Sequence, residues 1–397
     1  MSAPATPAAA VTAALAELTG TAPEDWFLVF KARYGMQVVF TALADATGPG
    51  QVATQVFTCA TAVDPIVVSG LTPRYAEVSA ATVALDPERL ELRQGDRAVV
   101  AQHTFGIVDS ERTAQLRDLA HGEGALLIED SAHCVGRMAR DSQGAPLADV
   151  SIHSFGVEKV LPTRFGGAVW VNPAMRDQLV RARITEALHA LPVVGAKLDR
   201  AARRYVPYMR LLRRLPASVG NPLRQALTRS GRFEPAIAPS ELEGGLPHQP
   251  ARPSPWMVEA MALALRELDS VHERRSAAVE VYREALAGRV DIPSALTSAQ
   301  PLVRFPFFAA DAATAKRVFE ALASAGLRPG RWYRPALFPG VPDPQVYHYT
   351  PGDGSVAITE DLIERVVNLP TDVDEATAQR IVDVVLTDLD RAAPSRT

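Results

Sequence analysis

Three short apolar runs, each ending in or near polar residues, constrain this chain more than any other feature. Ala125–Ile128 and Val150–Ile152 are too short for buried helices and read as buried strands of a parallel sheet. The first ends in Glu129-Asp130 and the second in His153-Ser154. A third strand, Gly167–Val171, follows at once and is expected to cover the base of whatever the first two frame. From residue 50 to 172 strand-like and helix-like segments alternate, including a strand at Arg97–Gln102 and an amphipathic helix at Glu111–His121 closed by Gly122. This is the βαβ signature of a mostly parallel, helix-covered sheet. Ligands of open α/β sheets bind at the carboxyl ends of strands. Asp130, His133, Ser154 and Lys159 are therefore expected to converge on one pocket.

Those residue types suit pyridoxal 5'-phosphate (PLP). Such an enzyme needs a lysine to hold the aldehyde as a Schiff base, an acid facing the ring nitrogen, and donors for the phosphate. Lys159, Asp130 and Ser154 fit these roles in turn. Taken singly, each has a plainer reading, a solvated lysine or a strand-end Asp capping a helix. Their order along strand ends favours the site.

The stretches IEDSAH, SFGVEK and FGGAVWVN resemble the DegT/StrS-type PLP-dependent sugar aminotransferases, whose pattern is roughly EDxAQ or EDxAH, then SFxxxK, then GGxxxxN. The resemblance covers about residues 30–180 and 255–390. It implies an α/β fold, the PLP-dependent transferase fold type I, with a mostly parallel central sheet covered by helices and a smaller C-terminal α+β domain. It makes Lys159 the Schiff-base lysine, pairs Asp130 with the pyridine nitrogen, sets His133 beside the ring and makes Ser154 a phosphate ligand. Gly35-Met36-Gln37 sits where the family has a Ser-Gly-Thr turn, so backbone N–H groups of Met36 and Gln37, at a helix beginning near Gln37, are expected to hold phosphate. The family stacks an aromatic on the pyridine face after the threonine matched by Thr58; here that residue is Cys59, so an aromatic from elsewhere or an altered ring tilt is expected. Members are usually homodimers with the site at the subunit interface.

Elsewhere the pattern gives a short helix from Leu85-Asp86-Pro87, one long helix over Trp256–Tyr282, strands at Val303–Ala309 and Leu327–Tyr333, and helices at Ala312–Ala325, Ile358–Arg365 and Asp374–Leu389 with Asp374 as N-cap. His103 reads better as a structural than as a catalytic histidine. Arg331, Tyr333 and Arg334 could reach the pocket or lie on the surface. Lys197–Arg214 carries seven Lys/Arg and one Asp interleaved with Tyr205, Tyr208 and Met209. It reads as a solvated insert first, an anion clamp second and a membrane or partner contact third; Pro207 interrupts any long amphipathic helix and weakens the membrane reading.

The chain divides on this reading into an N-terminal tail and short helix (1–25), a large PLP-binding domain (26–183), a basic insert and loop (184–255), and a linking helix with a small domain (256–397). A net charge of −4 gives no general attraction to nucleic acid or anionic membrane. Two cysteines exclude a disulfide scaffold and suit a cytoplasmic protein. No apolar run is long enough to span a membrane, the N-terminus lacks the basic start of a signal peptide, and no metal site is expected. The expected function is transfer of an amino group, from glutamate by family resemblance, to a keto-sugar that is nucleotide-linked. The rivals are a PLP enzyme of the same fold acting on a non-sugar substrate or catalysing dehydration, and a non-catalytic aminotransferase-like partner protein.

Overall fold

The computed structural model describes residues 6–392. Seven strands form one sheet: β1 (Trp26–Val29), β2 (Gln51–Thr54), β3 (Thr72–Tyr75), β4 (Asp96–Gln102), β5 (Leu126–Ser131), β6 (Val150–Ser154) and β7 (Gly167–Val171), in the order β1-β7-β6-β5-β4-β2-β3. β6, β5, β4, β2 and β3 pair in parallel, and β7 runs against both β6 and β1. The helices 32–47 and 178–189 cover one face through a core that includes Val39, Val100, Ile128, Ile152 and Val169. A second sheet pairs β8 (Arg304–Phe308) with β9 (Val366–Pro370) and packs with the helices 268–286, 312–324 and 375–392.

Two glycines set the spacing at the centre. A Cβ on Gly35 would lie 2.5 Å from Val169, and one on Gly167 would lie 2.6 Å from the backbone nitrogen of Ala32. Without side chains there, the helix 32–47 presses its first turns onto β7, and its start is brought to the carboxyl ends of β5 and β6.

Several expected elements differ. The helix at 85–87 is absent; Leu85 instead bridges Val78, and Asp86 N–H bonds Glu77, so the chain doubles back. The single helix 256–282 is two, Pro255–Leu265 and Leu268–Leu286, broken at Arg266-Glu267. Leu327–Tyr333 is no strand. β8 pairs with β9, and residue 330 only touches β9 at Asn368, where a Cβ would sit 1.8 Å from the Asn368 Oδ1. The helix Glu375–Ala392 begins after Asp374, whose carboxylate accepts from the Thr377 N–H at 2.8 Å, as an N-cap does. The N-terminal helix is Pro7–Thr19; the tail expected before it falls partly outside the described residues. No helix among the described residues is long and apolar enough to cross a membrane.

Candidate active site

Side chains alternate across a strand, and that alternation builds the site. Val100, Ile128 and Ile152 point into the core beneath the helix 32–47. Two residues further along the same face come Gln102, Asp130 and Ser154, now at the strand ends. All three line a cavity of about 340 Å³, together with Met36, Thr58, Cys59, His133 and Lys159. The opposite face carries Glu129, which accepts from His103 Nε2 at 2.6 Å and Ser151 Oγ at 2.6 Å. His103 does not line the cavity; it holds this buried network beneath it.

Asp130 is buried, and the Ala132 N–H donates to its Oδ1 at 3.0 Å. Burial pushes its carboxyl up, against the Ala132 N–H and the Lys159 charge. Lys159 has no ion pair or hydrogen bond from its Nζ among the described residues, and lies 5.4 Å above the Trp332 ring. Burial pushes its ammonium down, and Asp130 opposes that shift. An acid and an amine thus face one cavity with neither neutralised by direct contact. Ser154 Oγ accepts from the Gly156 N–H at 3.2 Å and keeps its own proton for the cavity.

The helix expected to begin near Gln37 begins at Ala32. The N–H groups of Met36 and Gln37 therefore lie beyond the first turn, within the helical ladder, and the donors at this helix start belong to Ala32 and Arg33. Met36 lines the cavity with its side chain; Gln37 does not, and its Oε1 is buried without a partner. Gly35 was misleading because it permits close packing on β7 rather than a turn. Two cations at this helix start are tied down: Lys31 to Glu234, with His248 bonding the other Glu234 oxygen at 2.9 Å, and Arg33 to Glu241 at 2.6 Å. These buried pairs fasten the chain around 233–241 over the cavity.

Cys59 lies in the cavity wall, its sulfur accepting from Thr61 Oγ1 at 3.1 Å. Aromatics reach the cavity from residues 332–338: Trp332, Tyr333 and Phe338. That segment is laced to the start of the helix 60–68, which follows β2, by Phe338 N–H to Thr58 O (2.8 Å) and Ala60 N–H to Phe338 O (3.0 Å). Arg331 and Arg334 turn away, Arg331 over the Phe319 ring at 4.7 Å and Arg334 onto Glu364 O at 3.1 Å.

The basic stretch is not simply a solvated face. It forms the helices 196–203 and 205–212, followed by 217–229, and Tyr205, Met209, Arg213 and Arg224 line the cavity. With Arg164 they set three guanidiniums at its mouth that make no ion pair with any described acid. Arg224 lies beyond the basic run and carries no sequence signal of its own; the turn at Pro216 brings it back alongside.

Comparison with known proteins agrees with this geometry. Residues 32–220 match the DegT/DnrJ/EryC1/StrS aminotransferase family. Over those residues, which include Asp130, Ser154 and Lys159, the chain is similar to that family. Over 118 residues it is 30% identical to GDP-perosamine synthase of Vibrio cholerae, covering 29% of this chain and 32% of that protein. Over 133 residues it is 33% identical to the spore coat polysaccharide biosynthesis protein SpsC of Bacillus subtilis (strain 168), covering 32% and 34%. The matches thus span about a third of these curated relatives. The crystal structure of the aminotransferase TlmJ from Streptoalloteichus hindustanus superposes with a TM-score of 0.70 at 19% identity, covering 98% of this chain and 92% of that one. This likeness extends the shared fold through the C-terminal region.

Proposed function

We propose that this chain is a PLP-dependent aminotransferase that moves an amino group from an amino acid, glutamate by family resemblance, to a nucleotide-linked keto-sugar. The observation that carries the proposal is the unneutralised Asp130 and Lys159 facing one cavity of about 340 Å³. The donor set fits the cofactor: a carboxylate for the ring nitrogen, an amine for the aldehyde, and the Ser154 hydroxyl with the helix start at Ala32-Arg33 for the phosphate. When bound, pyridoxal phosphate supplies a carbonyl that captures amines and a ring that takes up electrons released at the adjoining carbon.

The chain's own residues do the rest. Asp130, almost without water, keeps its charge by facing a cationic nitrogen and so holds that nitrogen protonated. Lys159 Nζ, whose neutral form burial favours, takes the proton from the donor's Cα and returns a proton to the acceptor carbon. Arg164, Arg213 and Arg224 offer forked donors to the phosphates of the acceptor. Tyr205, Met209, Phe233, Ala236 and Ile237 wall one side of the cavity. The relatives' names, a GDP-sugar synthase and a polysaccharide biosynthesis protein, support a sugar acceptor.

The test is a donor and acceptor screen on protein reconstituted with PLP, followed by the cofactor's absorbance. Glutamate should convert the bound cofactor to its amino form, and a nucleotide-linked keto-sugar should restore it. Protein that takes up no PLP, or whose cofactor is discharged only by non-sugar ketones, overturns the reading.

A further inference from the structure

His133 cannot itself offer a hydrogen to a ligand in the cavity. Its Nδ1 accepts the backbone N–H of Phe105 at 3.0 Å. A backbone amide only donates, so Nδ1 carries no proton. The ring is buried, and burial together with the Lys159 charge holds it neutral. The one ring proton is therefore on Nε2, which lies 2.9 Å from the Tyr333 hydroxyl. That N–H donates to the phenol oxygen. The Tyr333 O–H must then find its acceptor elsewhere, and no described protein atom other than His133 is within hydrogen-bond distance.

The phenol is held firmly. Its ring lies 4° from the plane of His133 and packs against Phe57, Phe105 and Phe338. It is buried and lines the cavity on the same wall as Asp130. A rigid, dry phenol whose oxygen is already filled from behind is a committed donor in front.

We propose that Tyr333, fixed as a donor by His133, supplies the hydrogen bond to the phenolic oxygen of the bound cofactor ring, and that His133 is a positioning residue acting through it. This rests on the PLP reading above. The resemblance sets residue 133 beside the ring; in this chain both of its nitrogens are already spent. The role therefore moves to a residue 200 positions later, out of reach of any local motif.

The experiment is a pH titration of the visible absorbance of PLP bound to the full chain, without substrates. A donor to the phenolic oxygen favours its anionic form and lowers the midpoint of the absorbance change. Tyr333→Phe should raise that midpoint by about one pH unit, a tenfold change in proton affinity, as loss of a hydrogen bond to a charged group does. Site-specific 3,5-difluorotyrosine at position 333 keeps the ring and strengthens the donor, so it should move the midpoint the opposite way. It also tests the proposal if Tyr333→Phe binds no cofactor. His133→Gln should raise the midpoint in the Tyr333 chain and leave it unmoved in the Tyr333→Phe chain. Unchanged midpoints in both Tyr333 variants, or an independent shift from His133→Gln, overturn the proposal. Wild-type protein that develops no such absorbance refutes the cofactor reading instead.

Discussion

Glu234→Gln tests how the chain around 233–241 is held over the cavity. Lys31 and Glu234 are 6% and 5% exposed and paired, and Lys31 also donates to Pro235 O at 3.2 Å. Removing the carboxylate charge leaves a buried ammonium with no anionic partner in contact. Breaking a buried pair from one side costs about 3–5 kcal/mol. Lys31 has one escape, to fold neutral. Starting from its ordinary 10.5, giving up the proton near pH 7.5 costs about 4 kcal/mol at 1.36 per unit. Both routes give the same range. Urea denaturation should show a midpoint lower by about 1 M or more at unchanged slope, taking a slope of about 3 kcal/mol/M. Burial already holds the Lys31 ammonium below 10.5 in the intact protein, with Glu234 opposing that shift; without Glu234 it falls further, so the folded variant binds this proton more weakly than either the intact protein or the unfolded chain. Stability of the variant therefore rises with pH towards 10.5, and its deficit against wild type narrows. Lys31→Met with Glu234→Gln removes both charges and should recover more than half the loss. A single-variant cost under about 1 kcal/mol, or a deficit that does not change with pH, would refute the clasp.

Other expectations concern the cavity and the network below it. Asp130→Asn should bind PLP but lower turnover about a hundredfold, since a charge-assisted bond is worth about 1.5–3 kcal/mol; stopped-flow half-reactions check it. Arg213→Ala and Arg224→Ala should each raise the KM for a nucleotide-linked acceptor about tenfold, flatten its salt dependence, and leave the amino donor's KM unchanged. His153 is held by burial at about 4, against the Glu129 charge. The unfolded chain, near 6.5, takes up the proton first, so the ring's contribution is complete above about 6.5. It is lost as pH falls towards 4, by about 3 kcal/mol in all. Denaturation at several pH values should show this slope, and His153→Asn should remove it.

The sheet was legible because its strands announce themselves twice. Each is a short apolar run, and each changes to polar residues where it leaves the core, which marks Asp130 and Ser154 as strand-end residues on one face. The phosphate turn was misread because a glycine looks the same in sequence whether it frees a turn or admits a neighbouring strand. At Gly35 it admits Val169. The pairing of β8 with β9 was missed because Phe308 and Val366 are 58 positions apart, and no local pattern records a long-range partner. The same distance hid the aromatics. Trp332 and Phe338 reach the wall beside Cys59 through long-range bonds, among them the backbone bonds between residues 58–60 and 338 and the Asn368 side chain donating to Trp332 O. In the basic insert the charge was plain, but its direction was not. Arg213 points to the cavity while neighbouring cations do not, and that is set by how the helices 205–212 and 217–229 pack.

The most direct measurement is chemical. Protein loaded with PLP should be treated with borohydride, digested, and mapped by mass spectrometry. The account predicts one reduced cofactor adduct, on the peptide that contains Lys159, and none in Lys159→Ala. An adduct on Lys31 or another lysine, or protein that stays unlabelled after full loading, would contradict it.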